Sequence, residues 1–327
     1  GGAGRMTSGV HPAADAPWYP VVRDLADRLV LDTSDSVRAV LLYGSHLHGS
    51  NPNRNSAFDF MVVVDSYRAF YSALRRSGGM RRWVWLMSSM ANVLPPNTIA
   101  YAPDDRELGL AKCLIVSKQH LEQALGPNPK DHFLLGRLVQ RVGQVWAATP
   151  EERAWLNDLV SAAHGRVLDW MLPYLTEPVD GAGLGQRLLE ICYQGEIRPE
   201  AKNRSESIFN AQVDHFQTVF GPVLVGAERS GLMVRSAEGF SLVAPASELV
   251  ARRWRRHFWR SKVRATSRWL KHIVTFDNWL PYLVRKAKRH SGTKIELTAL
   301  ERRWPLIFLW PRVVRFLRNR PSREITR

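Results

Sequence analysis

Residues 41–65 read LLYGSHLHGSNPNRNSAFDFMVVVD. The apolar run Val37 to Tyr43 (VRAVLLY) predicts a buried strand that ends at Gly44-Ser45. A polar loop follows, and Phe58 to Asp65 (FDFMVVVD) predicts a second strand. Its Val62-Val63-Val64 run calls for burial on both faces of a sheet. A glycine at a strand end lets backbone N–H groups approach phosphate oxygens with no Cβ in the way. Ser45 adds a hydroxyl donor beside it. Asp59, early in the neighbouring strand, falls near the same end of the sheet, where a carboxylate can hold Mg²⁺ against those oxygens. The unit therefore reads as a triphosphate and metal site. An ordinary strand-to-helix turn is the plainer alternative for Gly-Ser alone.

A buried aspartate needs a metal, a cation or hydrogen bonds. The position two before Asp59 is Ala57, so a second oxygen ligand has to come from elsewhere. Asp65 is six residues on, roughly 20 Å along an extended strand, and reads better as a strand-end turn residue. Glu196 is the better candidate, provided that its segment closes over the site. His46 and His48 stand two apart in the loop, but with no cysteine or third histidine they read as loop residues rather than a metal site. His132, His164 and His215 carry no signal.

The rest of the chain predicts an α+β fold. Helices are expected at 17–31, 67–76, 80–92, 118–125 and 130–147, with strands at 98–102 and 110–117. Thr149-Pro150 marks a boundary, with Thr149 as N-cap and Pro150 at the first helical position. Helices at 151–176, 184–193 and 208–220 come next, the last ending at Gly221-Pro222, with a polar stretch at 195–207. Short strands near 232–234 and 240–243 follow. Helices and then a small hairpin make a winged-helix-like pattern. The expected divisions are residues 6–148, 149–250 and 251–327. Gly1–Arg5 ahead of Met6 read as an expression remnant, and no stretch near them reads as a signal peptide.

The chain carries 46 Lys+Arg and 30 Asp+Glu, a formal charge of +16. The surplus is confined to one segment: residues 251–327 hold 22 Lys+Arg and four acids, a net of +18, and the other 250 residues net −2. That segment also holds six of the 12 tryptophans, including Trp254, Trp259 and Trp269. Tryptophan beside arginine suits the headgroup layer of an anionic membrane. Nucleic acid, through base stacking, and a solvated helical face with core tryptophans are the other readings. No apolar run reaches the roughly 20 residues of a bilayer span. Cys113 and Cys192 lie in apolar segments, which argues against a disulfide framework or a cysteine zinc site. A cytosolic-side protein is expected.

The strand, Gly-Ser turn, loop and strand with an early carboxylate resemble the nucleotidyltransferase superfamily. More closely, the sequence resembles the mitochondrial-type CDP-diacylglycerol synthase family, also called translocator assembly and maintenance proteins. Six ordered blocks over residues 40–225 carry the likeness. Tyr43-Gly44-Ser45 stand at the family's Tyr-Gly-Ser, and Asp59-Phe60 with Val64-Asp65 at its Asp-Phe strand. Lys112 and Ile115-Val116-Ser117 match its Lys strand, and Gly136-Arg137-Leu138 a Gly-Arg-Leu helix. Tyr193, Gly195, Glu196 and Arg198 (CYQGEIR) match Tyr-x-Gly-Asp-x-Arg, with Glu for Asp. Asn210 and His215-Phe216 fit the helix after it. The chain departs from the family at Phe70–Leu74, where Trp-His-x-x-Asn is usual, and at Arg81-Arg82-Trp83, where His-Tyr-Ser is usual.

The resemblance implies a nucleotidyltransferase-fold mixed sheet with flanking helices, a winged-helix-like helical domain and a basic helical C-terminal segment. It implies CTP:phosphatidate cytidylyltransferase activity with Mg²⁺, yielding CDP-diacylglycerol and pyrophosphate. Tyr43, Gly44, Ser45 and Lys112 would bind the nucleotide, Asp59 the metal, and Arg137 and Arg198 the acceptor phosphate. Asp59, Lys112 and Arg198 would carry catalysis. The expected partners are CTP, phosphatidic acid and an anionic membrane reached through 251–327, with nucleic acid the weaker reading. The lack of an Arg/Ser-rich transit peptide points to a bacterial relative, peripheral on the cytoplasmic face. A nucleotidyltransferase with a nucleic-acid or small-molecule acceptor, and a non-catalytic binding relative, are the alternatives.

Overall fold

A mixed sheet with helices on both faces organises the chain. The computed structural model describes residues 10–11, 17–47, 57–103, 109–194 and 201–275. All of them fall within one unit, Gly1–Asp277. The strands are β1 (Val10–His11), β2 (Val37–Tyr43), β3 (Phe58–Val64), β4 (Asn97–Tyr101), β5 (Ala111–Ser117) and β6 (Val142–Ala147), in the order β1-β6-β2-β3-β5-β4. β2 runs antiparallel to β3 and β6, β3 parallel to β5, and β4 antiparallel to β5.

Alternation along β3 sends its residues into two separate cores. Phe60, Val62 and Val64 join one cluster with α1 (Tyr19–Thr33), α2 (Tyr67–Arg76) and α3 (Val84–Val93). Met61 and Val63 join the other. That second core takes in α4 (Lys118–Leu125), α5 (Leu135–Leu138), α6 (Pro150–Gly165), α7 (Leu168–Met171), α8 (Gly181–Gln194) and α10 (Val213–Arg229). It also includes Met233 of the hairpin β7 (Met233–Ser236)–β8 (Gly239–Leu242) and Trp254 of α11 (Glu248–Thr275). The cluster thus runs without a break across positions 148/149 and 250/251.

The structure corrects several expected elements. The stretch 130–147 is the short helix α5 followed by strand β6, not one helix. β6 takes up the edge of β2, whose buried backbone groups need a partner that no local pattern announces. The helix expected over 151–176 breaks after Gly165 into α6, α7 and a 3₁₀ turn at Leu172–Tyr174 that contains Pro173. The polar stretch near 195–207 overlaps α9 (Ala201–Asn210). α10 passes through Pro222 instead of ending there. Proline costs that helix one i→i−4 bond, and burial of Phe216, Phe220, Val223 and Leu224 offsets the loss.

α5 is held by side chains far away in sequence. Nε2 of His164 donates to the Leu138 carbonyl at 2.9 Å, and Nε2 of His215 to that of Val139 at 3.2 Å. Two of the histidines that carry no signal in the sequence thus satisfy the helix C-terminus. Gln140 donates to the Gly136 carbonyl at 2.6 Å and to the Tyr193 hydroxyl at 3.0 Å. A Cβ on Gly136 would stand 2.9 Å from Cβ of Cys192, so glycine sets how closely α5 approaches α8.

Two buried histidines make stability pH-dependent. Burial lowers His164 to about 4. Burial first, and then His257, lowers His132 to about 3. Between those values and the ordinary 6.5, the unfolded chain binds protons that the native chain excludes. Stability must therefore fall as pH drops through that window. We expect roughly 3 kcal/mol to be lost between pH 6.5 and pH 5 from this pair. Urea midpoints at the two pH values check it, and equal midpoints would contradict it.

Candidate functional site

The register of the three central strands builds the site. Tyr43 of β2 pairs with Asp59 of β3, Asp59 with Lys112 of β5, and Lys112 with Ala100 of β4. Directly paired residues share a face, so the hydroxyl, the carboxylate and the ammonium lie in one row. That row is at one end of the sheet, on the face covered by α5 and α8.

Gly44 turns the chain immediately beside this row. Its φ is +87°, a conformation that glycine adopts without strain. A Cβ at Gly44 would stand 2.7 Å from Oδ2 of Asp59 and 3.4 Å from its carboxyl carbon. The carboxylate therefore lies against the glycine backbone, in space that any side chain would fill. Leu47 N–H closes the turn on the Gly44 carbonyl at 3.1 Å. Ser45 lies in this turn, and the loop beyond it, 48–56, falls outside the described residues together with His48.

Three further groups border the row. The Tyr43 phenol is held well above its ordinary range by burial and then by the Asp59 charge, with Arg137 opposing. It is a neutral hydroxyl at physiological pH. Arg137, 7% exposed, donates to the Phe133 carbonyl at 2.7 Å and lies 3.6 Å from the centre of the Phe133 ring. The Tyr193 hydroxyl accepts from Gln140, which fits a positioning residue in the core. The His46 ring packs against Phe58 at a tilt of 39°, ring centres 4.4 Å apart, and its Nδ1 has no hydrogen-bond partner among the described residues. Burial lowers its pKa against the pull of Asp59. It belongs to the site, although the sequence reads as a plain loop there.

Asp65 lies past the opposite end of β3, ion-paired with Arg38, and does not join Asp59. Glu196 and Arg198 fall outside the described residues. Among the described residues no three His, Cys, Asp or Glu side chains converge as a metal cluster. The donors at hand are one carboxylate and the Ser45 and Tyr43 hydroxyls. That set fits Mg²⁺, which keeps water and substrate phosphate oxygens and takes one or two carboxylates from protein. It does not suit an all-protein cage.

The basic segment meets the site too. α11 crosses the molecule and docks its last turns on the β4 edge. Trp254 is 6% exposed and packs by His132 and His257, while Trp259 is 68% exposed. Arg268 and Lys271 are buried. Part of the charge expected at a lipid surface is therefore packed inside, and residues 276–327 lie outside the described part. No described helix is long and apolar enough to cross a membrane. No protein-family model matches the chain, and no curated protein matches it in sequence.

Proposed function

We propose that the protein is a nucleotidyltransferase with a phosphate-bearing acceptor, and specifically a CTP:phosphatidate cytidylyltransferase working at a membrane surface. The observation that carries this reading is the Asp59 carboxylate lying against the Gly44 bend, in register with Lys112. The row needs little else for phosphoryl chemistry, in which positioning and electrostatics do most of the work. Gly44 and Ser45 would cradle the triphosphate, and Tyr43 would donate a hydroxyl to it. Asp59, with phosphate oxygens and water, would hold Mg²⁺, which when bound neutralises phosphate charge. Lys112 would stabilise the charge that gathers on the phosphate oxygens as the bond to the leaving group breaks. An oxygen of the acceptor phosphate would attack the α-phosphorus, and pyrophosphate would leave. Such an acceptor is already an anion, so no strong base is required. Arg137, and Arg198 on the CYQGEIR segment, would hold that acceptor.

The likeness to mitochondrial-type CDP-diacylglycerol synthases supports the substrate pair. The order of α8, α9, α10 and the β7–β8 hairpin supports a winged-helix-like part. The basic segment supports a peripheral, cytoplasmic-face location. Product analysis with each of the four nucleoside triphosphates, Mg²⁺ and phosphatidic acid tests the proposal. We expect CDP-diacylglycerol and pyrophosphate with CTP alone. Transfer to RNA or a soluble hydroxyl, with none to lipid, would replace the lipid acceptor. No transfer to any acceptor would sink the reading.

A further inference from the structure

The last turns of α11 bring together more positive charge than the described residues neutralise. Arg264 Nε and Arg268 Nη2 both bond to Oδ2 of Asp131, at 2.9 and 2.8 Å. Arg268 also donates from Nε and Nη2 to the Pro95 carbonyl, at 3.2 and 2.9 Å. Lys271 Nζ donates to the carbonyls of Leu94 and Pro96. Arg264 and Arg268 thus share one carboxylate, and Lys271, held by carbonyls alone, is lowered to about 7 by burial; Arg268 and Lys271 are 2% and 6% exposed. Burying cations without counter-charge is costly.

The surplus centres on His272. Its Nε2 lies 3.4 Å from Thr98 Oγ1 on β4. If that hydroxyl donates, the ring proton resides on Nδ1, which is buried and has no hydrogen-bond partner among the described residues. Nη1 of Arg268 is likewise buried and unpartnered among them. Burial first, and then the charges of Lys271, Lys112, Arg268 and Arg137, hold His272 to about 3. In that tautomer the two unpartnered atoms are buried N–H donors in a cationic surround, the complement of an anion.

We propose that the end of α11 is an anion-binding wall, in which Arg268 and His272, with Lys112 across on β5, take a phosphate group of a phosphorylated ligand. Lys112 sits beside Asp59 in the sheet, so the wall adjoins the row described above. The identity of the ligand, a nucleotide tail or a phospholipid headgroup, rests on the nucleotidyl-transfer reading, whereas the existence of the wall does not.

Calorimetric titration of the full chain with pyrophosphate, CTP and a soluble short-chain phosphatidic acid tests it. The wild-type protein should bind at least one of them. His272→Glu places a carboxylate among the cations and should weaken that binding about tenfold or more, with a melting temperature at or above wild type. Should that variant fold poorly, His272→Ala should still weaken binding by several-fold. Loss confined to pyrophosphate and CTP seats the nucleotide tail on the wall, and loss confined to phosphatidic acid seats the headgroup. No binding by the wild type, or wild-type affinity in a folded variant, would overturn the wall. Phosphate binding that depends on His272 without transfer to any acceptor would leave the wall standing and remove the transferase. Transfer with unchanged KM values in the folded variant would do the reverse.

Discussion

On the proposed nucleotidyl-transfer reading, Asp59→Asn should reduce CMP transfer on the order of 10³-fold while leaving the fold intact. The size follows from removing one preorganised charge at a phosphoryl-transfer centre. The fold should survive because Asn has nearly the same shape, and Asp59 is half-buried at a strand end rather than in either core. Gly44→Ala should reach a similar loss by another route. The new Cβ would meet Oδ2 of Asp59 at 2.7 Å, and the φ of +87° would strain any L-residue. The carboxylate must then swing away from the bend. Initial rates of pyrophosphate release, read beside melting curves, separate lost chemistry from lost structure. Full turnover in Asp59→Asn would show that the site is elsewhere.

Asp131→Ala should be the most damaging single change for stability, at about 3–5 kcal/mol. Burial pushes this carboxyl up, but Arg268 and Arg264 outweigh it and hold the group below the ordinary carboxylate range. Removing it leaves Arg268, 2% exposed, with no carboxylate among its described hydrogen-bond partners. Asp131 also accepts the Phe133 N–H at 3.1 Å, so the turn that leads into α5 loosens as well. Arg268 and Arg137 both lie over the Phe133 ring, at 4.4 and 3.6 Å, which links α11 to the site. Chemical denaturation measures the loss, and limited proteolysis within 251–275 should speed up as α11 undocks. An unchanged midpoint would mean that the arginines find other partners at no cost.

The α5–β6 region shows why part of the fold escapes a local reading. Val142, Val145 and Trp146 suit a strand, yet they follow a helical stretch with no strong stop signal. What makes 142–147 a strand is the open edge of β2, which lies about a hundred residues upstream. The same distance hides the binding candidates. Arg268 and His272 look like ordinary members of a basic run, and nothing near them in sequence points to Thr98, Pro95 or Asp131. His46 is invisible for a related reason: its character comes from Phe58 and Asp59, across a loop.

Periodicity and composition in the chain alone were enough for the two central strands, the glycine bend, the early carboxylate and the confinement of the charge surplus to one segment. Those features follow from local rules: a short continuous apolar run marks a buried strand, and glycine marks a backbone that must come close to something. Strand register, by contrast, put Tyr43, Asp59 and Lys112 in one row, and helix docking buried Arg268 and Lys271 of the basic segment. Both depend on contacts between residues far apart along the chain. Their energies depend on which surfaces meet, and no window of sequence contains that information.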